Sequence, residues 1–107
     1  MKTKIQTYRE CIKEKRYYDA HEALEEVWFP RRFEVSPDIQ LLKGFINAAV
    51  SFELYKRGRK KQSQKVWANY LKYRPLLYKV QSHKTELYAL SRYIERINLE
   101  KSSLILH

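Results

Sequence analysis

YYDAHEALEEVW, residues 17–28, decides the fold together with the apolar run IQLLKGFINAAVSFELY at residues 39–55. Wound as a helix, the first stretch sets His21, Glu25 and Trp28 at i, i+4 and i+7, so an imidazole, a carboxylate and an indole share one face with Tyr17 and Leu24 beside them. That face is expected to look inward or at a partner, while Asp19, Glu22 and Glu26 stay in water. The second stretch spreads Leu41, Leu42, Phe45, Ile46, Ala48, Ala49, Val50, Phe52 and Leu54 over nearly every azimuth. A helix that is apolar all round belongs at the centre of a bundle. Gly44, Ala48 and Ala49 would let neighbouring backbones approach it closely.

Upstream, Ile5, Tyr8 and Ile12, with Cys11 adjacent, predict a first amphipathic helix over 3–15, followed by a second over 17–30 that ends at Pro30. Ser36-Pro37-Asp38 is the clearest start signal: Ser36 suits an N-cap, Pro37 the first helical position, and Asp38 the positive end of the helix dipole. Gly58 is the matching stop, where a left-handed residue costs little. Residues 59–74 form a fourth amphipathic pattern, with Val66, Tyr70 and Tyr73 on one stripe and Trp67, Leu71 and Arg74 on the next; Pro75 breaks it. Ser82 is the expected N-cap of a last helix carrying Leu87, Leu90, Ile94 and Ile97. The fold expected is an all-α single domain over 1–107, a small antiparallel helical bundle of about five segments around a buried central helix. The apolar tail at 99–107 would strap the bundle or make a homodimer contact.

Composition agrees with a packed globule. Hydrophobic residues make up 44% of the 107 and aromatics 14%, while two glycines and three prolines leave little room for the turns of an all-β fold. A lone cysteine, Cys11, excludes an internal disulfide, and its place on an apolar stripe makes it a small buried hydrophobe. No apolar run is long enough to cross a bilayer and the N-terminus lacks a signal-peptide pattern, so a cytoplasmic protein without a membrane partner is expected. The net charge of +10 is lopsided: residues 1–53 hold nine Lys/Arg against nine Asp/Glu, and residues 54–107 hold thirteen against three. Such asymmetry hints at nucleic acid or another polyanion as partner.

At His21-Glu22-Ala23-Leu24-Glu25-Glu26-Val27-Trp28 the chain resembles a family of small helical proteins called domain of unknown function 309, whose signature helix reads AHExLExxW. A second helix rich in small residues, here Gln40 to Ala49, and a basic-glycine turn, here Lys56-Arg57-Gly58-Arg59, complete the resemblance over about residues 17–60, with weaker likeness through Trp67 and Leu71. It implies a helical bundle whose signature residues meet near its centre, and it implies no activity. Asn47 stands where the family more often has glutamine or another polar residue, and the tail has no counterpart.

Three readings compete for the candidate residues. In the first, Tyr17, His21, Glu22, Glu25, Trp28, Gln40 and Asn47 form a polar cluster: His21 and Glu25 hydrogen-bond each other and Gln40, Asn47 or a tyrosine hydroxyl, locking the second helix to the third, or they border a ligand pocket with Tyr17, Trp28 and Phe52. That reading makes the protein a non-catalytic binding or interaction domain. In the second, His21 and Glu25 are acid–base groups or ligands to a divalent metal, with a third ligand from Gln40, Asn47, Glu53 or His83. HExxH would need a histidine where Glu25 stands, and the Glu-x-x-His of carboxylate-bridged iron sites would need a glutamate where Tyr18 stands. In the third, Lys56, Arg57, Arg59, Lys60, Lys61 and Lys65 grip phosphates. No dinucleotide fingerprint, phosphate-cradling glycine loop or nucleophile motif appears, and no organic cofactor is expected.

Overall fold

Turn chemistry sets the limits of the helices. The computed structural model describes residues 2–106, with side chains placed for 3–101. Five α-helices follow in order: α1 (Lys2–Lys13), α2 (Tyr17–Trp28), α3 (Pro37–Lys56), α4 (Lys60–Tyr73) and α5 (Lys84–Leu106), with short 3-10 turns at Phe29–Arg31 and Arg74–Tyr78. At the end of α3, Gly58 adopts φ 81°, its N–H donates to the Tyr55 carbonyl at 3.0 Å, and the Arg59 N–H donates to Leu54 at 2.9 Å. This paired closure caps the last carbonyls of the helix. The same closure ends α1 two residues earlier than periodicity predicts. Lys15 takes φ 61°, with Lys15 N–H to Ile12 at 3.1 Å and Arg16 N–H to Cys11 at 2.8 Å. A side chain in this region is disfavoured by its Cβ, so nothing in the composition of the turn announces it.

The start of α3 differs from expectation in its chemistry. Ser36 occupies the N-cap position with φ −85° and ψ 128°, yet its hydroxyl makes no cap bond. Asp38 does more than complement the dipole. Its carboxylate accepts the N–H of Gln81 at 3.0 Å, and the N–H and hydroxyl of Ser82 at 3.1 and 2.8 Å. Ser82 is thereby spent on Asp38 and does not cap α5, which begins after His83 at φ 56°. One carboxylate ties the approach of α5 to the base of α3.

Consecutive helices run antiparallel, and α3 is the axis. Gly44 lets α4 come so close that a Cβ added there would lie 2.8 Å from Tyr73 Cβ, while the buried Ser63 hydroxyl donates to the Ser51 carbonyl at 2.7 Å. Tyr8 of α1 donates to the Phe45 carbonyl at 2.6 Å. One core cluster draws on every helix: Ile5, Tyr8 and Ile12 from α1, Ala20 and Leu24 from α2, eight α3 residues, Tyr70 from α4 and Leu87, Leu90 and Ile94 from α5. Cys11 lies in it at 3% exposure, and burial pushes its thiol pKa up against the pull of Arg16. The α5 backbone continues as helix through 99–106 without turning back as a strap; the side chains of 102–107, on which a strap or dimer contact depends, lie outside the described residues. Among the described residues no helix is long and apolar enough to cross a membrane.

Candidate binding site

Helix α2 buries a different stripe from the one carrying its signature polar residues. Ala20 and Leu24 are fully buried, Ala23 is 6% exposed, and Val27 packs against the core. His21 and Glu25 lie about 100° around the helix from Ala20 and Leu24, so burying that stripe leaves them on the rim. Their side chains are 21% and 37% exposed. Of the signature, Ala20 and Leu24 therefore reach the centre, while its polar residues His21 and Glu25 do not. His21 Nε2 and Glu25 Oε2 approach to 2.6 Å, and Glu22 stands 3.6 Å from His21 Nδ1. Trp28 is half-buried, with the Lys43 ammonium 4.3 Å from its ring centre.

Gln40 and Asn47 do not appear among the hydrogen-bonding partners of the pair. Gln40 is half-buried near the start of α3. Asn47 faces α4 instead, donating to the Lys43 carbonyl at 2.8 Å and accepting from Asn69 at 3.4 Å. Of the other candidate metal ligands, Glu53 pairs with Arg57 at 3.1 Å, and His83 sits in the turn before α5. Among the described residues no three His, Cys, Asp or Glu side chains are disposed to hold a metal ion together.

A cleft of about 250 Å³ opens beside this face, at the end of the bundle formed by the two left-handed closures. Tyr17, Phe52, Tyr55 and Ile97 line it, with Lys15, Lys56 and Lys101 around it. It takes Tyr17 and Phe52 from the pocket expected of the sequence, but His21, Glu25 and Trp28 are not among its lining residues. It also joins Tyr17 to Lys56, residues the sequence had placed in separate groups. The ring centroids of Tyr17 and Phe52 lie 5.6 Å apart, and Phe52 continues to Trp67 at 5.8 Å. Burial first, then the charge of Glu53 and the Tyr93 hydroxyl, push the Tyr17 phenol pKa up, keeping it a neutral donor.

The lysines are held by the turns. Lys56 donates to the Lys15 carbonyl at 3.3 Å and lies 5.9 Å from the Tyr17 ring, so the strained closure of α1 and the end of α3 brace each other. Lys101 reaches in from α5, 4.8 Å from the Tyr55 ring and 6.0 Å from that of Trp67, with Asn98 accepting from its ammonium. Burial lowers its pKa, the signature of a cation that has lost water. Arg57, Arg59, Lys60, Lys61 and Lys65 stay exposed around the α3–α4 turn; Arg57 is tied to Glu53 and Lys60 lies 5.9 Å from the Tyr55 ring.

The most buried polar network lies elsewhere, joining Tyr70 and Arg74, expected only as stripe residues of the fourth helix, to Ser91 and Glu95, which the sequence reading did not single out. Tyr70 and Ser91, 0% and 2% exposed, have hydroxyls 2.7 Å apart. Both donate to Glu95 Oε2, at 2.7 and 2.6 Å, and the same oxygen accepts Arg74 Nε at 2.7 Å. Burial pushes Glu95 up, but the donors together outweigh it and hold its carboxyl below the usual range; burial drives the Tyr70 phenol far upward. One signal for it exists in the sequence: Ser91 falls on the apolar stripe of α5, four residues after Leu87 and three before Ile94.

Fold and cleft together define a small all-α bundle with a lysine-rimmed aromatic cleft at one end. The family model described as Domain of unknown function (DUF309) matches residues 5–66, from α1 into α4, and the chain belongs to that family. Comparison with curated proteins and with solved structures returned no match.

Proposed function

We propose that the protein is a non-catalytic binding domain that takes a small amphipathic anion, an aromatic or short-chain acid, in the cleft between Tyr17, Phe52, Tyr55 and Ile97. The observation that carries this reading is the pairing of an apolar, aromatic lining with three lysine ammoniums, one of them partly desolvated. Apolar surface supplies affinity for a flat body, and the cations orient its charge. Lys15, held in a left-handed conformation beside the cleft, adds the backbone strain that often accompanies a binding position. The ligand would meet the signature helix through Tyr17, with the His21–Glu25 pair as a polar neighbour on the same helix. A cytoplasmic location belongs to the same proposal, resting on the single buried thiol.

The test uses anilinonaphthalene sulfonate, an aromatic anion, followed by its own fluorescence and by the tryptophan emission of the protein. Saturable binding at one site, weakened at least tenfold in Lys56→Glu/Lys101→Glu at unchanged helicity, is the expected result. Binding that never saturates, or that ignores the double substitution, would overturn the reading. A second reading, nucleic-acid binding at the α3–α4 turn, is favoured by the exposure of Lys60, Lys61 and Lys65, which have no ion-pair partner among the described residues. It predicts oligonucleotide binding that falls steeply with salt and weakens in Arg57→Glu/Arg59→Glu.

A further inference from the structure

A second cleft, of about 280 Å³, lies between α1 and α5 and is lined by Arg9, Ala89, Arg92, Tyr93 and Arg96. Three of its five lining residues are arginines, and neither candidate set drawn from the sequence includes them. Arg92 and Arg96 stand one turn apart on α5. Arg9 comes across from α1. Its guanidinium lies 4.9 Å from the Tyr93 ring centre, and that of Arg96 lies 5.7 Å from the same ring, so one aromatic side chain organises two cations.

What distinguishes this cluster from the other unpaired cations of the surface is that three guanidiniums line one cleft, two of them over the same ring. Among the described residues none of the three arginines is in an ion pair. The acids nearest in sequence do not supply one: Glu95 is committed to Tyr70, Ser91 and Arg74, and neither Glu10 nor Glu100, although exposed, pairs with them. Like charges gathered around one cleft repel unless an anion joins them. Guanidinium groups are planar forks that bind phosphate oxygens in pairs, more directionally than lysine does. Three of them exceed what a single carboxylate could engage.

We propose that the α1–α5 cleft is a phosphate-binding site that takes two adjacent phosphoryl groups, held between Arg9 on one side and Arg92 and Arg96 on the other, with Tyr93 beneath. The site is independent of the lysine-rimmed cleft and does not rest on its ligand. Adjacent phosphates occur in a free di- or oligophosphate and in a phosphodiester backbone, and the same chemistry serves both.

The experiment titrates inorganic pyrophosphate into the protein at 150 mM salt, by calorimetry and by amide chemical shifts. Saturable binding with shifts centred on α1 and α5 is expected. Arg9→Gln/Arg96→Gln should weaken it at least tenfold, and Arg9→Lys/Arg96→Lys should recover only part of the loss. Lys60→Gln/Lys61→Gln removes the same charge elsewhere and should leave binding within twofold. All these side chains are exposed, and circular dichroism checks that each variant keeps its helicity. An unstructured oligothymidylate then identifies the source: competition with pyrophosphate, lost in the same arginine variants, assigns a phosphodiester ligand, and absence of competition assigns a free oligophosphate. Failure of pyrophosphate to saturate, or equal weakening by the arginine and lysine pairs, would overturn the site.

Discussion

The two polar clusters of this bundle, His21 with Glu25 on α2 and Glu95 with its donors between α4 and α5, look alike on paper and differ in what surrounds them. Each includes two polar residues one helical turn apart. The first pair is 21% and 37% exposed and spans 2.6 Å, so water can replace either partner. In the second, Arg74 and Glu95 are no less exposed, at 37% and 29%, but Glu95 also accepts from a tyrosine at 0% exposure and a serine at 2%. Those hydroxyls have no water to turn to. Proximity in sequence therefore says little about the energetic weight of a polar pair; what matters is whether removing one partner strands the other in the core.

The largest effect expected from breaking this comparison is at Glu95. Glu95→Ala would leave the Tyr70 and Ser91 hydroxyls, 2.7 Å apart, with only each other, so that one buried donor goes unpaired, and would free the Arg74 guanidinium, costing about 2–3 kcal/mol by the usual penalty for a buried unpaired group and a lost charged partner. For a domain of this size that lowers Tm by roughly 10 °C or more, readable by thermal circular dichroism. Tyr70→Phe should cost less, since it removes one donor and leaves the carboxylate with two.

Asp38 comes next. Asp38→Asn keeps the shape but replaces one acceptor oxygen with a donor facing the N–H groups of Gln81 and Ser82, and about 1–2 kcal/mol should be lost. The carboxyl also sets an acid limit. Burial raises its pKa, yet the Gln81 and Ser82 donors prevail and hold it below the ordinary aspartate range, as the donors at Glu95 do there. A carboxyl depressed in the folded state gives its full contribution above its unfolded pKa and loses it as pH falls through the folded one. Stability should accordingly be flat above about pH 5 and decline below about pH 4. In denaturant titrations at several pH values, the Asp38→Asn/Glu95→Gln chain should show a shallower decline.

The helices were legible because their causes are local. Ile5, Tyr8 and Ile12, or Leu87, Leu90 and Ile94, announce a buried stripe by spacing alone, and Pro37 and Gly58 fix the ends of α3 by backbone chemistry. Asp38 was legible as a residue at a helix start and illegible as a tether, because its partners are more than 40 residues away. The lysine-rimmed cleft was half legible. Tyr17 and Phe52 follow from the helix pattern, whereas Ile97 and Lys101 arrive by the packing of α5, which periodicity does not orient. His21 and Glu25 misled for a physical reason: the stripe of Ala20, Leu24 and Val27 competes for the same helix, and apolar side chains gain more from the interior than a histidine and a glutamate do.

The two left-handed closures offer a matched test about 1 kcal/mol in size. Gly58→Ala should destabilise, since φ 81° is costly for a side chain although the space around it is open. Lys15→Gly should do the opposite, relieving φ 61° while removing a cation from the cleft. A variant both more stable and weaker in binding the sulfonate probe would mark Lys15 as strained for the sake of its position. If stability fell instead, the Lys15 side chain would be contributing more through packing than its backbone conformation costs.

The smallest effect belongs to the pair that the sequence makes most conspicuous. His21→Ala and Glu25→Ala should each change unfolding free energy by no more than about 0.5 kcal/mol, and the double-mutant coupling should lie near 0.3–0.5 kcal/mol, as for other partly exposed i, i+4 pairs. Neither residue lines the cleft, so binding of the sulfonate probe should stay within twofold in both variants. A loss of 2 kcal/mol from either substitution would erase the distinction between the two clusters. Unchanged stability with lost binding would instead extend the ligand's footprint along α2 from Tyr17 to His21, one turn further than the cleft reaches.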